Sequence, residues 1–125
     1  MKSDLAIFAE PTSWPRANYS PVALMRHRIS DLERLLGVAF ARFIDENEKS
    51  AGVAIETAAR NRLILVQHLG SESSPSLFIA LDGRDEEKTL NAVLNELGLN
   101  RDDVVYGHSH GYTMDQLRDG QHIKR

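Results

Sequence analysis

The chain has 125 residues, enough for one domain with one buried core and too few to make two domains the better expectation. Apolar residues make up 42% and charged residues 26%, close to the globular average, which argues against a disordered, fibrous or membrane protein. The net charge of −3 and the absence of cysteine exclude a general electrostatic affinity for nucleic acid, disulfides, thiolate zinc sites and a cysteine nucleophile.

No apolar run approaches the roughly 18 residues of a spanning helix, and the N-terminus lacks the long apolar region of a signal peptide, so the expected address is the cytoplasm. Charge is unevenly placed. Residues 1 to 70 carry nine Lys/Arg against eight Asp/Glu, whereas residues 71 to 125 carry six against ten, so the acidic excess belongs to the C-terminal half.

Leu5 to Ala9 is a short apolar run closed by Pro11 and reads as a first strand. Pro11 to Ser20 is a proline-stiffened loop holding Trp14 and Tyr19. These aromatics either pack over the edge of the core or project as anchors for a protein partner, since Trp and Tyr concentrate at binding hot spots. Ser20-Pro21 has the chemistry of a helix start, and Val22, Met25, Ile29, Leu32 and Leu36 recur at spacings of three and four. The reading is a helix from Ser20 to Leu36, stopped by Gly37.

Val38 to Ile44 reads as a strand and Asp45 to Ser50 as a polar turn. Gly52 to Ala59 alternates as a half-buried strand, Arg60 to Arg62 is a tight connection, and Leu63 to His68 is a further strand. After a serine-rich link from Gly70 to Ser76 comes a buried strand, Leu77 to Leu81. Strands joined in succession by short turns imply an antiparallel meander. Asp82-Gly83-Arg84 then leads into an amphipathic helix from Asp85 to Leu97, with Leu90, Val93, Leu94 and Leu97 as its core stripe and Gly98 as its stop. Val104 to Tyr106 closes a strand–helix–strand unit whose two strands should run parallel. Thr113 to Gln116 has a capping-box pattern for a short C-terminal helix, and residues 118 to 125 read as a frayed tail.

The fold expected is therefore a single α+β domain over residues 1 to 125. It has a mainly antiparallel sheet of five or six strands, two long helices on one face, and a short C-terminal helix. A fully parallel, doubly wound sheet is the alternative, disfavoured by the meander.

Chemistry-bearing motifs are sparse. His108-Ser109-His110, between Tyr106 and Tyr112, could supply two metal ligands or an acid–base pair for metal-free RNA cleavage. A zinc site wants a third ligand, which no spacing supplies, and a nuclease must attract a polyanion, whereas residues 82 to 103 carry seven acidic residues against three basic ones. His27 and His68 read as ordinary surface or boundary residues. A phosphate-cradling glycine loop and a nucleophile elbow are both absent.

The remaining candidates are carboxylates. Asp82, Asp85, Glu86 and Glu87 surround the start of the second helix, and Asp102 and Asp103 precede the last strand. They cap the helix and keep the domain soluble, or they form an acidic face for a basic partner, with Trp14 and Tyr19 as further contacts. If the last two strands are parallel, the helix start and Asp102/Asp103 lie toward opposite ends of the sheet.

This pattern points to a non-enzymatic, cofactor-free and metal-free binding domain. It would resemble in role a bacterial immunity protein or inhibitor that neutralises a basic protein such as a nuclease toxin, without touching nucleic acid or membrane. The alternative is a small enzyme or metal-binding protein using His108 and His110. A third reading is a subunit that pairs with its own copy through a sheet edge.

Overall fold

The computed structural model describes residues 5–45, 48–69 and 74–106. Among these residues, seven strands form one antiparallel sheet: β1 (Ala6–Phe8), β2 (Tyr19–Met25), β3 (Ala41–Asp45), β4 (Glu48–Glu56), β5 (Arg62–His68), β6 (Ser76–Ala80) and β7 (Val104–Tyr106). The helices are α1 (Ile29–Leu36) and α2 (Glu86–Leu97). The spatial order is β1-β4-β5-β6-β2-β7, with β3 also paired to β4. β3 and β1 share the flank of β4 away from β5, β3 along Glu48–Gly52 and β1 along Ala54–Glu56. The domain is thus α+β, and β3 to β6 form the antiparallel meander that their short connections imply.

The largest departure from the expected fold lies at residues 20 to 36. The expected helix starting at Ser20-Pro21 is a strand through Met25, and α1 occupies only Ile29–Leu36. All five residues of the apolar stripe are buried as expected, but Val22 and Met25 reach the core from a strand. Periodicity cannot distinguish these outcomes over so short a run, and the deciding interaction is remote in sequence: β2 pairs with β6 on one side and β7 on the other. Pro21, which has no N–H to give a ladder, sits where the β2–β6 register shifts and outside the Ala23–Met25 stretch that meets β7.

β2, the strand that takes the count past the expected five or six, also splits the strand–helix–strand unit. β6 and β7 are both antiparallel to β2, hence parallel to each other as expected, but they are not neighbours. Two smaller corrections concern the hairpins. Glu48, Lys49 and Ser50 belong to β4 rather than to a turn, because Asp45 pairs with Glu48 and the backbone stays in the ladder while Glu48 and Lys49 face solvent and the buried Ser50 hydroxyl meets His68. β4 is also buried on both faces from Ser50 to Ile55, not half-buried.

Two apolar clusters explain that burial. On one face, α1 and α2 contribute Ile29, Leu32, Leu36, Leu90, Val93, Leu94 and Leu97 to a core with Val53, Ile55, Leu63, Leu65, Leu77 and Ile79 from the sheet. The other face carries a smaller cluster of Trp14, Tyr19, Ala54, Ile64, Val66, Phe78 and Ala80. Its cover is the segment around the 3-10 turn Pro11–Ser13. Trp14 lies directly over Gly52, where an added Cβ would come within 3.0 Å of the indole and 3.1 Å of the Leu65 carbonyl oxygen.

α2 has the ends its sequence foretells. Asp85 caps it by accepting from the Lys88 N–H at 2.8 Å, and Gly98 takes the left-handed conformation at φ 79°. The Leu99 N–H then returns to the Leu94 carbonyl at 2.8 Å, with the Leu99 side chain held in the core. The C-terminal helix at Thr113–Gln116 and the tail fall outside the described residues.

Candidate protein-binding surface

The surface is assembled from the first turn of α2, the 3-10 turn Arg101–Asp103 and the end of β7. Glu86 and Glu87 stand in the first turn of α2, where the free N–H groups and the helix dipole favour negative charge. Asp82 precedes them in a turn whose backbone is left-handed at Asp82 and Gly83, φ 53° and 82°. Asp102 sits in the 3-10 turn, which Asn100 and Asp103 cap reciprocally. The Asp102 N–H donates to Asn100 Oδ1 at 2.8 Å and the Asn100 N–H to Asp103 Oδ2 at 2.9 Å.

Arg101 joins the two acidic groups. Its guanidinium donates to Glu87 Oε2 at 3.2 Å and to Asn91 Oδ1 at 3.3 Å, and lies 4.8 Å from the centre of the Tyr106 ring. β6 and β7 do run parallel, and the Arg101 side chain spans from the 3-10 turn to the helix's first turn. Burial, then the charges of Glu86 and Glu87, then a hydrogen bond to Glu86 and the charge of Asp85 push the Tyr106 hydroxyl above its ordinary ionisation range.

The carboxylates are not equivalent. Asp82, Asp85, Glu87 and Asp102 are exposed, and Glu86 is half-buried. Asp103 turns inward: its Oδ1 meets His27 Nε2 at 2.7 Å while Oδ2 holds the 3-10 turn. The His27 bond, the Asn100 N–H and the charge of His27 outweigh a desolvation cost and hold the Asp103 carboxyl below the usual carboxylate range. A second bond, from the Arg26 N–H to the Asp103 carbonyl at 2.8 Å, ties the same two segments. Asp103 is therefore a structural clasp on the β2–α1 connection rather than an open contact.

Trp14 and Tyr19 are both buried in the smaller cluster, not projecting as anchors. The indole N–H donates to the Ala9 carbonyl at 3.2 Å, the Tyr19 hydroxyl to the Pro15 carbonyl at 2.7 Å, and the Trp14 ring meets Phe43 edge-on.

Two polar clusters escaped the sequence reading. Asn61 in the β4–β5 turn donates to Glu96 Oε1 at 2.8 Å and accepts from Arg84 at 2.6 Å, while Arg84 also donates to the Leu81 and Ala80 carbonyls, each at 2.8 Å. Burial disfavours the charged form of Glu96, but the bonds from Asn61, Thr57 and the Ala59 N–H prevail and lower its pKa. The second cluster is His68, a buried cross-strand neighbour of Ser50. Its Nδ1 meets Ser50 Oγ at 3.1 Å and Glu48 Oε1 at 3.0 Å. Because hydroxyl and carboxylate meet the same ring nitrogen, and Ser50 is fully buried, this is not the geometry of an activated serine.

Only Asn100-x-x-Asp103 had a local signal, a cap pattern; His27–Asp103 and Asn61–Glu96 join residues too distant for any spacing rule. Among the described residues, no group of three or more His, Asp or Glu side chains could hold a metal. His108 and His110 lie outside the described residues. Comparison with protein-family models, curated proteins and solved structures returns no match.

Proposed function

We propose that this chain is a non-enzymatic binding domain that docks a basic protein on the acidic surface at the start of α2, in the manner of an inhibitor or immunity protein facing a nuclease toxin in the bacterial cytoplasm. The observation that supports it is the Arg101–Glu87 bond, which ties the 3-10 turn carrying Asp102 to the start of α2, whose Asp85, Glu86 and Glu87 charges bear on Tyr106. Carboxylates held this way speed the encounter with a positive partner and set its orientation more than they add raw affinity. Arg101 and Tyr106 lie among them, and residues of these two types concentrate at binding hot spots. Among the described residues no helix is long and apolar enough to cross a membrane.

The test is affinity capture from the native cell extract, repeated with a variant carrying Glu86→Gln, Glu87→Gln and Asp102→Asn. The reading expects a basic protein that the parent retains and the variant largely releases. Retention of that protein in equal amount by both, or capture of none by the parent, would overturn it.

A further inference from the structure

We draw no further inference here: the strongest candidate, the groove of about 320 Å3 between the edge strand β1 and the end of α1, lined by Ile7, Arg34, Leu35 and Val38, carries nothing because no feature of the structure shows what covers it.

Discussion

The two flanks of the sheet are built from opposite chemistry. Beside β1, Ile7 and Leu35 are 40% and 46% exposed, and the groove between them is lined chiefly by aliphatic side chains with Arg34. Beside β7, polar side chains are paired with one another: Arg101 with Glu87 and Asn91, Asp103 with His27, and Tyr106 under the Arg101 guanidinium. Apolar groups are held by area and shape alone, whereas polar groups keep one arrangement only where donors and acceptors are matched. The β7 flank thus holds a bonded polar cluster beside the first turn of α2, while the β1 flank is an open depression with exposed Ile7 and Leu35 at its rim.

The largest expected effect strikes what the charged flank stands on. Leu94, 1% exposed on the inner side of α2, should cost roughly 2–5 kcal/mol when changed to alanine, because the truncated site leaves a cavity against the sheet. Denaturant unfolding measures this, and a midpoint equal to the parent's would show that α2 does not depend on its stripe.

Next in size is Asn61→Ala. It strips the Glu96 carboxylate and the Arg84 guanidinium of their shared partner, the buried amide of an otherwise exposed turn, and about 1–3 kcal/mol of stability should go with it. A loss indistinguishable from zero would mean that water replaces the amide without cost.

The pH dependence has a definite sign. Asp103 and Glu96 have folded-state pKa values below their ordinary ones, so they stabilise the fold above the unfolded carboxylate range, and that contribution is lost as pH falls through the depressed values. Tyr106 is shifted upward, so its contribution is present below the ordinary tyrosine range and is lost as pH rises above it. Unfolding midpoints across the acid range should fall less steeply for Asp103→Asn than for the parent. Parallel curves would remove the His27–Asp103 clasp from the account.

The smallest effect belongs to the apolar flank. Leu35→Ser should change stability by no more than about 0.5 kcal/mol, since the side chain is already half in water. A loss on the scale of Leu94→Ala would show that the flank is closed rather than open, and the contrast between the two sides of the sheet would fail.

How far the sequence disclosed this arrangement depends on whether the determinant is local. The start, stripe and stop of α2 were readable because Asp85, Leu90–Leu97 and Gly98 act within a few residues of themselves. The β3–β6 meander was readable because each turn joins adjacent strands. Residues 19 to 25 were not: Ser20-Pro21 favours a helix locally, and ladders to strands more than 50 residues away prevail. The acidic surface was half legible. Its carboxylates show in the composition, but the inward turn of Asp103 depends on His27, 76 residues distant, and the link between the acidic groups depends on where the fold delivers Arg101.

The central claim is that Glu86, Glu87 and Asp102 draw a basic partner to the β7 flank. The direct measurement is the association rate of the captured partner with the parent and with the Glu86→Gln, Glu87→Gln, Asp102→Asn variant, at low and at high salt. Circular dichroism confirms that both proteins are folded. The account predicts a parent rate that falls as salt rises, a variant slower by about tenfold at low salt, and convergence of the two where screening shortens the reach of the charges. Equal rates for parent and variant at low salt, or a parent rate indifferent to salt, would contradict it.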